Sequence, residues 1–316
     1  MKFSQFFNIW LHENYYKNVS KIGKNGDFFT AVSVGNLFGT LLAKHFLKLI
    51  DEGALKLPLE IVEIGANEGY LSRDFLSALV EFRPEIFSQI SFFIIEPHEK
   101  LQILQKKTLD GIDFIHKNNL EECHFKNAFF FCNELFDSFA CELIDNDTMA
   151  YVKDYQIIFK PIDESLRQRC QKLGLKKGEL SLELENFLKK LDQISEKFIF
   201  AGFDYGTFDN DRFSIRIYQK HEVFNPFEIS LKDFFGKSDI TYNVNFNHLK
   251  TTIENLNFKL LHLKKQSQAL IDFGFEELLE YTKNKNIKSY ENLLSQSKIL
   301  FFNFDEKFHF FEFAKL

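Results

Sequence analysis

Residues 57–71, LPLEIVEIGANEGYL, constrain the fold more than any other stretch of the chain. Leu59, Ile61, Val62 and Ile64 form an apolar run that is too short for a typical helix and rich in β-branched residues. That is how a strand buried on both faces reads. Glu63 interrupts the run two residues before Gly65, and Ala66, Asn67, Glu68 and Gly69 follow. From Tyr70 to Val80 the apolar residues Leu71, Phe75, Leu76 and Leu79 take a helical spacing. Strand, glycine turn and helix open a βαβ unit. The glycines let the backbone approach a ligand closely, and the helix start offers unpaired N–H groups. The plainer alternative is a tight strand–helix turn that binds nothing.

The next strand sharpens the reading. Ser91 to Ile95 is apolar, and Glu96 stands at its carboxyl end before Pro97. A carboxylate at that place accepts the two hydroxyls of a ribose, so an adenosine-type ligand is expected at the carboxyl edge of a parallel sheet. The dinucleotide fingerprint G-x-G-x-x-G fails, because Asn67 occupies its second glycine position. A nicotinamide dehydrogenase is therefore a distant alternative. An acid before the first glycine, a second glycine four residues on, and an acid after the next strand resemble the S-adenosylmethionine (SAM) site of Rossmann-like methyltransferases.

Bulk properties narrow the class. With 316 residues, 45% of them apolar, the chain can build one large α/β domain with insertions or two small ones. The net charge of −6 gives no basic footprint for nucleic acid. Phe is abundant at 41 copies, which reads as compositional bias and core material. Cys123, Cys132, Cys141 and Cys170 have neither C-x-x-C nor zinc-ligand spacing, so reduced thiols and no metal are expected. No apolar run reaches the length of a membrane span, and residues 1–11 lack the form of a signal peptide. The expected location is cytoplasmic.

Taken in order, the sequence predicts a helix over 2–16, a glycine-bearing loop through Gly26 and Asp27, and a second helix over 34–50. Strands follow at 59–64, 92–95, 113–115 and 127–132, with helices at 71–82 and 99–107 between them. Beyond 138 the pattern changes to a hairpin (150–153 with 156–159) and helices at 164–173 and 182–195. A buried strand returns at 197–203, and 207–245 is polar and loop-rich. A helix over 246–256 precedes the final segment, where 258–264, 299–304 and 308–313 read as antiparallel strands and 275–281 and 289–295 as helices. The expected organisation is a single domain over 1–316, with an N-terminal helical segment (1–56) and insertions at about 138–196 and 207–245.

Five stretches resemble one family. They are GDFFTAVSVGNLFG (26–39), VEIGANEGYL (62–71), NELFDSF (133–139), DYG (204–206), and the run Arg216, Tyr218, His221, Asp239-Ile240-Thr241 and Val244-Asn245-Phe246. Their order and spacing are similar to those of the SAM-dependent methyltransferases that include the mitochondrial complex I assembly arginine methyltransferase, the MidA family. The resemblance runs from about residue 1 to 260. It departs at Ala31-Val32-Ser33, where the family has Ser-Pro-Glu, at Asn67 in place of a glycine, at Phe139-Ala140, and at Asn245 in place of an aspartate.

The resemblance implies an α/β, class I methyltransferase fold: a mainly parallel sheet with helices on both faces. It implies SAM as cofactor and an arginine side chain of a protein as acceptor, with a link to respiratory complex I assembly. The alternative is an assembly partner that binds SAM with weakened catalysis. Asp27, Glu63, Gly65, Asn67, Gly69, Glu96 and Asn133 are the expected cofactor residues. A guanidinium acceptor needs carboxylates to orient it and to take a proton, which makes Glu134 and Asp137 the expected catalytic pair. Asp204 and Tyr205 are expected to wall the pocket. Arg216 and His221 read as residues that order the insertion.

Overall fold

The computed structural model describes residues 1–18, 30–302, 304 and 307–316. By contact the chain forms two compact units. One gathers the described residues of 29–133, 192–203 and 259–316, the other those of 1–28, 134–191 and 204–258.

The first unit carries the main sheet. Its strands are β1 (Leu59–Ile64), β2 (Ile90–Ile95), β3 (Ile115–Lys117), β4 (Phe125–Asn133), β5 (Ser195–Thr207), β6 (Lys259–Lys265) and β7 (Phe308–Lys315), in the order β6-β7-β5-β4-β1-β2-β3. Neighbours β3, β2, β1, β4 and β5 pair in parallel, and β6 pairs antiparallel with β7 at one edge. The apolar runs make central strands because both of their faces are covered. In β1 every residue but Glu60 is buried. Helices α1 (Leu37–Asp51), α2 (Tyr70–Phe82) and α3 (Glu99–Thr108) belong to this unit. The phenylalanines build its core: Phe46 lies 5.6 Å from Phe75 and 5.1 Å from Phe129, and Phe75 lies 5.1 Å from Phe131, ring centre to ring centre. Parallel strands joined by helices, with an antiparallel edge, form the class I methyltransferase architecture.

The second unit holds a four-stranded antiparallel sheet in the order Gln156–Pro161, Thr148–Lys153, Glu142–Asp145, Lys177–Leu180. It also holds a three-stranded sheet in the order Glu222–Phe224, Arg216–Gln219, Asp239–Thr241. The N-terminal segment packs here. The Ser4 hydroxyl donates to Glu142 at 2.6 Å, and the Trp10 indole donates to the Ser238 carbonyl at 2.7 Å.

Three expectations change. The sequence predicts a strand over 299–304, but Ile287–Phe302 is one helix that buries Leu293, Gln296, Ser297 and Leu300 on a single face. The N-terminal helix is interrupted by π turns at Ile9–Tyr15, where the Asn14 amide donates to the Ile9 carbonyl at 2.7 Å and competes for the helical ladder. The region 207–245, read as loop, contains the three-stranded sheet.

Candidate functional site

In the main-sheet unit, β1 ends in a turn with left-handed backbone at Gly65 (φ 71°), Asn67 (φ 49°) and Gly69 (φ 83°). Asn67 thus takes the conformation of the glycine it replaces, which asparagine tolerates better than other side chains. At Gly69 a side chain would be strained by the backbone and tightly placed. Its φ is left-handed, and a Cβ would sit 3.3 Å from Gln105 Cγ and 3.4 Å from Gln105 Cα. Gly69 has no side chain to cap the start of α2, and of the first-turn N–H groups that of Ser72 is engaged by the Glu63 carboxyl.

Glu63 is buried and accepts a hydrogen bond from the Ser72 hydroxyl, so one of its oxygens ties β1 to α2. Burial pushes its carboxyl up to about 8. Glu96 is buried at the end of β2. Its Oε1 accepts the His98 N–H at 2.9 Å, and its Oε2 accepts from Gln105 Nε2 at 3.3 Å. Burial pushes this carboxyl up to about 7. A carboxylate has about four acceptor positions, so two remain for a vicinal diol. The left-handed turn, the uncapped helix start and Glu96 therefore fit an adenosine-type ligand. Asn133 ends β4, half-buried, level with Phe203 of β5. Asp27 lies outside the described residues.

Sequence reasoning missed Gln105. It is fully buried, and its Nε2 also donates to the Asn67 carbonyl at 2.8 Å, while its Oε1 meets His116 Nε2 at 2.7 Å. On a polar-faced helix nothing in the sequence distinguishes it from Gln102.

The other unit holds the Asn133-Glu134-Leu135-Phe136-Asp137 turn from Glu134 onward. Glu134 is half-buried with left-handed backbone (φ 50°). Asp137 lies in the short 3-10 turn Phe136–Ser138 and is buried. Its Oδ2 accepts from the Tyr205 hydroxyl and from Thr241 Oγ1, the latter at 2.7 Å. Its Oδ1 has no hydrogen-bond partner among the described residues. Burial raises the Asp137 carboxyl, and the two hydroxyls work against that rise.

Asp204 is fully buried and spent on backbone. It accepts the N–H of Phe136 at 2.8 Å, of Asp137 at 3.3 Å and of Tyr205 at 2.9 Å. It is the template of the turn and not an open pocket wall. The Arg216 guanidinium lies 4.8 Å over the Tyr205 ring and donates to Asn243 at 2.8 Å. His221 sits with Lys220 at the tip of a tight hairpin, both left-handed, and is exposed. Gly206 is required by a close approach, since a Cβ there would fall 2.3 Å from the Val244 carbonyl oxygen.

The family model described as "Putative S-adenosyl-L-methionine-dependent methyltransferase" matches residues 41–263. The chain belongs to that family. It is a SAM-dependent methyltransferase. "Protein arginine methyltransferase NDUFAF7, mitochondrial" of Rattus norvegicus is 20% identical over 95% of this chain and 77% of its own length. The homologue of that protein in Drosophila melanogaster is 29% identical over 26% of this chain and 18% of its own length. A solved structure from Burkholderia thailandensis, a "likely methyl transferase" bound to S-adenosyl-homocysteine, superposes with a TM-score of 0.83. It is 18% identical and covers 100% of this chain and 88% of its own, a likeness that establishes the fold. Among the described residues of the methyltransferase, no helix is long and apolar enough to cross a membrane, and no His, Cys, Asp or Glu cluster has the geometry of a metal site.

Proposed function

We propose that this methyltransferase transfers the methyl group to an arginine side chain of a protein, with a subunit of respiratory complex I as the substrate class the family resemblance implies. The name of the rat relative supports the arginine reading. The observation that carries it is the Glu134–Asp137 turn, in which Asp204 accepts two successive backbone N–H groups and fixes the path of the chain.

In this reading Glu96 accepts the ribose hydroxyls, and the backbone of Gly65 to Gly69 lies against the cofactor. Asn133 orients the adjoining backbone or the cofactor's amino group. Bound SAM supplies an electrophilic methyl carried by a positive sulfonium. Glu134 would accept N–H groups of the guanidinium and take up the proton it releases. Asp137, held by Tyr205 and Thr241, offers Oδ1 as a second acceptor. The protein's contribution is then mostly positioning.

Two variants test it with radiolabelled SAM on a lysate and on the substrate that the lysate identifies. Glu134→Gln and Asp137→Asn each abolish transfer and leave SAM affinity within a few-fold of the parent. Loss of SAM binding in both would move the pair to the cofactor site. Full transfer in both would make the pair structural, and a parent that binds SAM without transferring it would be a binding partner.

A further inference from the structure

Gln105 and His116 belong to no motif, yet they close a chain of hydrogen bonds through the cofactor end of the sheet. The Gln105 amide has two N–H hydrogens, and both are used. One goes to the Asn67 carbonyl at 2.8 Å, the other to Glu96 Oε2 at 3.3 Å. Its carbonyl Oε1 faces His116 Nε2 at 2.7 Å.

This pattern fixes the amide's orientation. Turning it over would set Oε1 2.8 Å from the Asn67 carbonyl oxygen, which only accepts. His116 must then carry hydrogen on Nε2, because Oε1 can only accept. Burial and the nearby Lys106 both lower the His116 pKa. The Phe114 ring lies 4.8 Å away and edge-on. The ring is thus neutral near pH 7, protonated on Nε2 and bare on Nδ1. The lock acts on two atoms at once: the carbonyl of the one non-glycine residue with left-handed backbone in the turn, and the carboxylate at the end of β2.

We infer that Gln105, held by His116, is a positioning residue for the nucleoside part of the cofactor: it sets the Glu96 carboxylate and the Asn67 turn in the one arrangement that receives a ribose diol. The inference rests on Glu96 and the glycine turn being the cofactor site. A lock of this kind acts equally on ground state and transition state, so it changes KM and leaves kcat alone. It also gives the left-handed Asn67 a partner that ties the turn to α3.

The test compares the full-length parent with Gln105→Glu, His116→Phe, His116→Gln and Glu96→Ala. It uses calorimetry with S-adenosylhomocysteine, methyl-transfer kinetics, and nitrogen NMR of the His116 ring. Gln105→Glu places an acceptor against two acceptors and weakens binding at least tenfold, with KM for SAM rising in parallel and kcat within twofold. His116→Phe does the same. His116→Gln, whose amide can donate to the same oxygen, recovers affinity to within threefold of the parent. The ring of the parent shows the Nε2–H tautomer without ligand.

A parent ring in the Nδ1–H form overturns the proposal, as does equal loss in His116→Phe and His116→Gln. Unchanged affinity in Gln105→Glu, with weakened binding in Glu96→Ala, also overturns it while sparing the site. Unchanged affinity in Glu96→Ala removes the site reading itself.

Discussion

Glu63 shows how a carboxyl can belong to a ligand motif and still act on stability. It is buried and bonded to Ser72, and burial carries its carboxyl up to about 8. An unfolded glutamate titrates near 4.3. Between those two values the folded chain holds a proton that the unfolded chain has released, so stability falls as pH rises through the window. It is fully present below about 4.3 and lost by the upper end. The slope approaches about 1.4 kcal/mol per pH unit where the two states differ by one whole proton. Other buried acids, Glu96 among them, add slopes of the same sign. The difference between parent and Glu63→Gln therefore isolates this one residue. The thermal midpoint of the parent should drop more steeply from pH 5 to 8.5 than that of the variant. Parallel curves would show that Glu63 titrates alike in both states.

At the scale of elements, the end of β5 makes a sharp claim. Gly206 pairs with Val244, and a Cβ there would meet the Val244 carbonyl oxygen at 2.3 Å and the Phe246 ring at 2.5 Å. Gly206→Ala should cost about 1–3 kcal/mol by overpacking, measured by urea unfolding, and a change under about 0.5 kcal/mol would remove the close approach. The sequence announces strands such as 59–64 and 127–132 because burial on both faces leaves an unbroken apolar run. It does not announce the sheet inside 207–245, whose strands of three or four residues are too short to show alternation. Residues 299–302 mislead because four consecutive apolar residues suit a helix end as well as a strand. The glycine turn and Glu96 are legible because sequence spacing sets them. The work of Asp204 is not legible, since a carboxylate at a strand end looks the same whether it faces a ligand or three backbone N–H groups. Gln105 is hidden because its partners arrive from β2, β3 and the glycine turn.

For the molecule as a whole, the chain passes between its two units between residues 18 and 30 and again after residues 133, 191, 203 and 258. The residues proposed to hold the cofactor, Glu63, Gly65, Asn67, Gly69, Glu96 and Asn133, all fall in the main-sheet unit, and Glu134 and Asp137 fall in the other. The proposal therefore gives cofactor binding a local address. A ligand that binds only the folded chain stabilises it by RT ln(1 + [L]/Kd), about 2.7 kcal/mol at a hundredfold excess over Kd. Protection from hydrogen exchange should concentrate where backbone and side chains meet the ligand. S-adenosylhomocysteine at that excess should slow exchange at residues 65–73 and 96–106. The β6–β7 edge hairpin of the same unit then serves as an internal reference, because its exchange reports the stability of the sheet as a whole. Slowing equal in the turn and in the hairpin would mean that the ligand acts through global stability alone. No slowing at 65–73, with a raised thermal midpoint, would place the cofactor away from the glycine turn and force the site to be sought again from the other end of the chain's own carboxylates.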